Sequence, residues 1–462
     1  MISHTKYLTP SELAINLSKG KWELAQHLQF MEIKLMNTIS EPNTNLIVNL
    51  PPRHGKSEFI SKYFPLWFLN NNPDKRVVLV SYQKSIAAGW SRRIRDLIDN
   101  NKNLLNIELS KTHRKSNSFD IQNHEGGLFA TGIGGALTGL GADLLIIDDP
   151  VKNDEQANSL TYRDKTWDWF NSTAITRLEP GGNAIIVMTR WHDDDLTGRV
   201  LSNYGEDELQ SWSCIVLPAI AKENDAINRK FGEPLWEKRF SLAELEKFRK
   251  RMGEYWFASL YQQEPLPTGS TIFKRCNFRY FDDRKTHLEY FDSENVMRAV
   301  DKSEITIMAT CDLAISARET ADFTVIVIFG KSKDNNIYIL DVIRQRFETT
   351  NHLPLLQSVY QSYRPALVGV ENVQYQKSLI QQAIKLGLPV KSLRPDKDKI
   401  SRALMIASQL ENGMIYFRRN ADYLPEFEKE LLNFPKSRHD DQVDAFSYIM
   451  QMIYSTSGML PL

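Results

Sequence analysis

The chain has 462 residues, enough for two or three domains. Hydrophobic residues make up 42% and charged residues 25%, the balance of a soluble globular protein, and no apolar run reaches membrane-spanning length. Lys+Arg and Asp+Glu stand at 57 each, so any polyanionic partner must be met by a local patch and not by global charge.

Cys214, Cys276 and Cys311 are scattered with no C-x-x-C pair, which argues against a zinc knot or a disulfide framework and suits a reducing cytoplasm. The N-terminus lacks the apolar core of a signal peptide. Residues 1–45 read as helical, with Trp22, Ala25, Leu28 and Gln29 near one face. Trp22 and Gln29, just upstream of a phosphate loop, are placed to sandwich an adenine. A packing helix that covers a sheet explains the same spacing equally well.

The stretch from Leu46 to Glu58 begins as an apolar strand and ends in Gly55-Lys56-Ser57, which opens a helix predicted over 58–69. That is the strand–loop–helix setting of a P-loop, in which backbone N–H groups cradle phosphates. Lys56 would reach the β/γ-phosphates, Ser57 would ligate Mg²⁺, and Arg53, His54 and Gly55 complete the loop. The first Gly of the pattern is replaced by Leu50, and Pro51-Pro52-Arg53 stiffens the loop and adds a cation. A second buried strand, 76–81, precedes a helix with Ile86, Trp90, Ile94, Leu97 and Ile98 on one face. Arg92, Arg93 and Arg95 lie off that face, for DNA phosphate or for solvent.

After a Gly-rich run, 130–141, four apolar residues lead into Asp148-Asp149, a Walker B pattern. Asp148 would hold the Mg²⁺ sphere and Asp149 would polarise the attacking water. A further strand, 183–188, runs into Thr189-Arg190-Trp191-His192. Thr189, Arg190 and His192 are placed to sense a γ-phosphate, or to form a turn packed by Trp191. Strands at 46–50, 76–81, 144–147 and 183–188, separated by helix-compatible sequence, predict a doubly wound parallel sheet with ligands at its carboxyl edge. Residues 200–265 read as mostly helical, and the Pro/Gly punctuation of 261–270 reads as linker. This gives an ATPase domain over 1–265, a connecting segment over 266–305 and a second domain over 306–462.

In that second domain three β-rich runs (305–312, 323–329, 336–343) are followed by alternating helix and strand, the order of an RNase H-like fold. Asp312 ends the first strand, Glu371 ends the fourth, and Asp440, Asp441 and Asp444 open the last helix. In that fold these places converge, where carboxylates hold two Mg²⁺ or Mn²⁺ about 4 Å apart for phosphodiester hydrolysis. Oxygen-only ligands favour such hard cations. Asp441 is preferred over Asp440 because it shares a helix face with Asp444. Asp322 and His439 are weaker candidates. The net basic stretch 391–402, with Lys397, Lys399 and Arg402, reads as a phosphate track or a solvated loop.

The Pro-Pro-Arg-His-Gly-Lys-Ser loop, the run from Thr138 to Pro150, Thr189-Arg-Trp-His192 and His439-Asp-Asp-Gln-Val-Asp-Ala445 resemble, in order, the signatures of the large terminase subunit of tailed bacteriophages and prophages. The resemblance covers nearly the whole chain. It implies an N-terminal ASCE-type ATPase using ATP with Mg²⁺ and a C-terminal RNase H-like nuclease using two Mg²⁺ or Mn²⁺. Implied partners are double-stranded DNA, a small terminase subunit that selects it and the portal protein of the procapsid. On the portal the subunits would form a homo-oligomeric ring, with the chain a monomer in solution. The implied setting is the host bacterial cytoplasm, transiently at the procapsid portal and not in the mature virion. By the family pattern Arg53 acts in cis on the γ-phosphate. The loop before the Walker B strand, Thr138-Gly139-Leu140-Gly141, lacks the arginine that many relatives carry, which leaves Arg163, Arg177 and Arg190 for a trans-acting role. A cellular helicase–nuclease would need a second RecA-like domain, for which residues 200–300 are too few. A remnant that only binds DNA or a partner is opposed by the intact Lys56, Asp148, Asp312 and Glu371.

Overall fold

The computed structural model describes residues 7–456 apart from 138, 206–210, 267–269, 315–322, 372–375, 395–397 and 438. Asp322 and Lys397 therefore lie outside the described residues. The chain forms two compact units, Met1–Phe248 with Trp256–Thr268 and Arg249–Tyr255 with Gly269–Leu462.

The first unit is built on eight strands: β1 (Asn45–Asn49), β2 (Arg76–Ser81), β3 (Leu109–Arg114), β4 (Ser118–Ile121), β5 (Gly127–Gly132), β6 (Ala142–Asp148), β7 (Leu178–Met188) and β8 (Trp212–Val216). Their order is β3-β4-β5-β2-β6-β7-β1-β8. The four strands legible in the sequence are the central ones, and β5 and β8 extend them in parallel. β3 and β4 add an antiparallel edge, so the sheet is mixed and not wholly parallel. β5 was hidden at the start of the Gly-rich run, and β8 lies in a stretch that reads as helical. Inward residues alternate strictly. Leu46, Leu79, Ile146 and Val187 pack on one face, and Ile47, Val78, Ile147 and Ile186 on the other. Both faces are buried because parallel strands need crossovers, and these put the helices Gln26–Ser40 and Lys84–Asn100 on one side and Leu160–Trp169 and Leu196–Asn203 on the other. The helix after β1 opens at Lys56–Glu58, takes a π-helical turn over Phe59–Tyr63 and continues as Phe64–Asn71.

The second unit has nine strands. β9 (Arg279–Asp283), β10 (His287–Phe291) and β11 (Met297–Asp301) form an antiparallel ribbon. These strands occupy the segment read as a linker over 266–305. Charged turns such as Asp282-Asp283-Arg284-Lys285 dilute the alternation that would have announced them. β12 (Thr306–Asp312), β13 (Thr324–Lys331) and β14 (Ile337–Gln345) are the expected meander, followed by β15 (Leu367–Glu371), β16 (Val390–Leu393) and β17 (Ile415–Arg418). The order is β11-β10-β9-β17-β14-β13-β12-β15-β16. β9 joins the sheet by pairing in parallel with β17, and Phe281 and Tyr290 pack there with Tyr338 and Tyr416. The last helix, Asp441–Thr456, lies directly on the sheet. A Cβ at Gly369 would come within 2.7 Å of Met452 Sδ, so this contact needs glycine in β15. The Thr310 hydroxyl also donates to the Ala445 carbonyl at 2.7 Å, fixing the helix over β12.

Candidate active sites

The carboxyl edge of the first sheet carries a phosphate-sized loop. β1 leads into Leu50-Pro51-Pro52, and the chain turns through two left-handed residues, Arg53 (φ 63°) and Gly55 (φ 89°). Glycine makes the second turn without strain, and Arg53 bears it with a side chain. Beneath the loop two histidines act as struts. The His27 ring donates from Nε2 to the His54 carbonyl at 2.9 Å, and the His54 ring donates from Nδ1 to the Pro52 carbonyl at 2.8 Å. Burial pushes both rings down, His27 to about 4 and His54 to about 3, so both are neutral at physiological pH. The His54 side chain, expected among the nucleotide contacts, is fully buried against Phe240 and supports the loop from below.

Above the loop the expected residues meet. Lys56 Nζ lies 3.0 Å from Asp149 Oδ1 and also donates to the Thr189 hydroxyl. Thr189 N–H donates to Asp149 Oδ1 at 3.0 Å. Ser57 Oγ donates to Asp148 Oδ1 at 2.9 Å and Ser61 Oγ to Asp148 Oδ2 at 2.7 Å. Asp148 is buried, and desolvation followed by the neighbouring Asp149 charge pushes its pKa up to about 7. Asp149 is held at φ 46°, with its N–H on the Val187 carbonyl at 2.9 Å. These groups open onto a cleft of about 620 Å³ that Arg53 also lines.

Trp22 does not line that cleft. It stacks on Phe59 with ring centroids 5.5 Å apart and faces an adjoining pocket of about 670 Å³, also lined by Tyr63 and Trp236. The two cavities share Gly55, Glu58 and Arg239. Gln29 is exposed and lines neither, which corrects its pairing with Trp22. The physical reason is local: the helix begins only at Gln26, so Trp22 sits on extended chain and the helical spacing between the two does not apply.

The second unit gathers the carboxylates. β12 and β15 are parallel neighbours with Cys311 opposite Val370, so Asp312 and Glu371 end side by side. Glu371 Oε1 accepts from the Tyr448 hydroxyl at 2.7 Å, and Asp441 Oδ2 accepts the Phe323 N–H at 3.0 Å. Asp312 is raised well above the usual carboxylate range, first by burial and then by the charges of Glu371, Asp444 and Asp441. Asp441 is buried whereas Asp440 is half-exposed. Among the described residues no three His, Cys, Asp or Glu side chains form a ready-made metal cage. The donor chemistry nevertheless fits a hard divalent cation, because crowded oxygen anions raise one another's pKa until a cation compensates them. Asp444, whose charge also raises Asp312, carries cations of its own chain. It accepts from Arg402 at 2.7 Å and pairs with Lys399 at 2.6 Å, while Lys399 also pairs with Asp440 at 2.5 Å. Lys399 and Arg402, read as part of a phosphate track, thus sit on the protein's own acids.

The model of the terminase large subunit, T4likevirus-type, N-terminal family matches residues 47–279, half of the chain, and that of the terminase RNaseH-like domain matches residues 309–453. The chain belongs to the large terminase subunit family. The terminase large subunit of Enterobacteria phage T3 is 26% identical over 232 residues, which are 46% of this chain and 39% of that protein. The chain therefore matches well under half the length of that curated relative. The large terminase of a thermophilic bacteriophage, solved in complex with ADP, aligns over 90% of this chain and 95% of its own, at 13% identity and a TM-score of 0.48. The HK97 bacteriophage large terminase aligns over 81% of each chain, at 14% identity and a TM-score of 0.35.

Several groups line the terminase cleft that the sequence alone did not assign to it. Tyr82, Trp90, Arg93, Lys152, Trp191 and Arg239 all line it. Arg93 lies over the Trp90 ring at 4.5 Å, and the three-residue spacing of that pair on one helix was the available signal. Of the arginines considered for a trans role, Arg163 is tied to Asp194 at 2.9 Å and Arg190 to Asp195 at 2.8 Å. Arg177 precedes β7, at the edge of the sheet opposite the cleft. Among the described residues, no helix is long and apolar enough to cross a membrane.

Proposed function

We propose that this chain hydrolyses ATP in its first unit to drive double-stranded viral DNA into procapsids, and cuts that DNA with its second unit. The observation that carries the reading is the pairing, in one chain, of Lys56 against Asp149 and Thr189 with the convergence of Asp312, Glu371 and Asp441. In the free protein Lys56 neutralises Asp149. When a triphosphate enters, its β/γ-oxygens compete for the ammonium, and Asp149 is released to take a proton from the attacking water. A positioned base of this kind contributes about 10²–10⁴-fold. Thr189, bonded to both groups, reports the exchange to β7, and Arg53 reaches the γ-phosphate from the lip of the loop. The adenine lies against Trp22 in the adjoining pocket.

Ser57 and Asp148 would hold Mg²⁺ in the first unit, and Asp312, Glu371 and Asp441 would hold Mg²⁺ or Mn²⁺ in the second. Bound there, such cations supply Lewis-acid stabilisation of phosphoryl transfer. In the second unit Tyr448 fixes the Glu371 carboxylate and Asp444 anchors Lys399 and Arg402. The working assembly is a homo-oligomeric ring on the portal protein, loaded by a small terminase subunit in the host bacterial cytoplasm. With Arg163 and Arg190 held in internal pairs, Arg177 is the favoured arginine to act on a neighbouring subunit's nucleotide.

Separable activities test the proposal. Lys56→Ala should abolish ATP hydrolysis and packaging and spare cleavage with Mn²⁺. Asp149→Asn should bind nucleotide and fail to hydrolyse it. Asp312→Ala should stop cleavage and spare the ATPase. Hydrolysis at the parent rate by Asp149→Asn would remove Asp149 as the base.

A further inference from the structure

Beside the carboxylates lies a stack that takes no part in the mechanism above. The guanidinium of Arg344 stands 3.7 Å from the centroid of the Phe323 ring, and that of Arg346 stands 3.9 Å from it. Two guanidinium groups on one face at those distances would overlap, so the ring is interleaved between them. The backbone explains how. Arg344 lies on β14 and Arg346 just past its end, two residues on and facing the same way. Side chains at that spacing are about 7 Å apart, room for one aromatic ring. Each ring face is electron-rich and attracts a cation, and stacking fixes the plane of each guanidinium.

The stack is tied to the carboxylate cluster. The same Phe323 whose N–H binds Asp441 supplies the ring, and His439, two residues before Asp441, meets it edge-on at 5.2 Å. Asp312 is in register with Val325, and Val325 with Arg344. Arg344 is therefore two strands from Asp312, about 10 Å at the ordinary strand spacing. Arg344 is also 3.8 Å from Glu430, whose oxygens accept from the Gln442 side chain and backbone at 2.7 Å each. Such an ion pair is long and leaves room for another anion. Lys399 and Arg402 lie on Asp440 and Asp444, so phosphate recognition near the cluster needs other cations.

We propose that Arg344, Phe323 and Arg346 form a phosphate clamp that positions the DNA strand to be cut, a role that rests on the nuclease reading above. The ring holds two forked cations apart and in parallel, and the Phe323–Asp441 bond sets their place against the carboxylates. The ligand is a phosphodiester backbone read by charge and shape, without base preference.

The test uses the full chain, with DNA affinity measured against salt in EDTA and cleavage kinetics measured with Mn²⁺. Arg346→Gln should lower the salt slope by about one and the double Arg344→Gln/Arg346→Gln variant by about two. Each lost contact should raise KM for DNA about tenfold while kcat stays near the parent value. Phe323→Leu keeps both charges, so the slope should hold while KM rises. If the double variant fails to fold by thermal melting, Arg346→Gln alone carries the reading by the same criteria. A parental slope and KM in these variants overturns the clamp. If Asp312→Ala still cuts DNA, the nuclease reading itself falls; if it stops cutting while the arginine variants are parental, only the clamp falls.

Discussion

The Asp148 carboxylate is held where burial works against it, and Asp148→Asn should therefore stabilise the nucleotide-free protein while abolishing ATP hydrolysis. Burial and Asp149 raise its pKa from 3.8 to about 7. At about 1.4 kcal/mol per tenfold change, that is a cost of about 4 kcal/mol to keep the group ionised above pH 7. Asparagine removes the charge but keeps a single acceptor oxygen for the hydrogen bonds from Ser57 and Ser61, the attraction of Lys56 being already contained in the shift. Charge-assisted bonds contribute about 1.5–3 kcal/mol each, and an amide keeps part of them, which leaves a net gain of about 1–2 kcal/mol. For a unit of this size the melting temperature should rise by roughly 2–6 °C. The sign depends on pH. Folded Asp148 binds its proton more tightly than the unfolded chain, so the parent loses stability as pH climbs from about 4 to about 7. The variant's advantage should be full at pH 8 and replaced near pH 4 by a deficit of about 2–3 kcal/mol, because the parent regains the whole cost once Asp148 is protonated. Calorimetric melts without nucleotide at the two pH values measure it. A variant less stable than the parent at pH 8 would show that Ser57, Ser61 and Lys56 already compensate the charge, and would refute the reasoning.

Asp444→Asn should cost the second unit about 2–4 kcal/mol in urea melts, because Arg402, a buried cation, loses its carboxylate. A fragment over 269–462 should melt cooperatively, whereas one over 300–462 should aggregate. The shorter fragment lacks Phe281 and Tyr290, which cover Tyr338 and Tyr416, and leaves the β17 edge unpaired. Two well-behaved fragments would mean that the β9–β11 ribbon is dispensable. Trp22→Ala should weaken ATP binding about tenfold in a fluorescent-nucleotide titration, the scale of one aromatic–base stack, and Gln29→Ala should leave it unchanged. Equal effects would move the adenine out of the adjoining pocket.

Residue pattern alone determined the family, the two fold classes and the central strands. Short apolar runs such as 144–147 and 184–188 suit strands buried on both faces, and each leads into a polar residue at the carboxyl edge of the sheet. The meander with acids at the ends of its first and fourth strands was legible for the same reason, since chain order fixes which strand ends meet. What depends on packing was not. The β9–β11 ribbon is stabilised by an aromatic cluster contributed from distant strands, so its own charged sequence does not announce it. His54 turned downward because its neutral ring donates to the Pro52 carbonyl while its own backbone carbonyl accepts from His27, and Gln29 turned outward because the helix starts four residues after Trp22. The partners of Lys399 and Arg402 lie more than forty residues away in sequence. Only the tertiary structure decides whether such a cation meets DNA or an acid of its own chain, because charge is read from sequence but its nearest counter-charge is set by the fold.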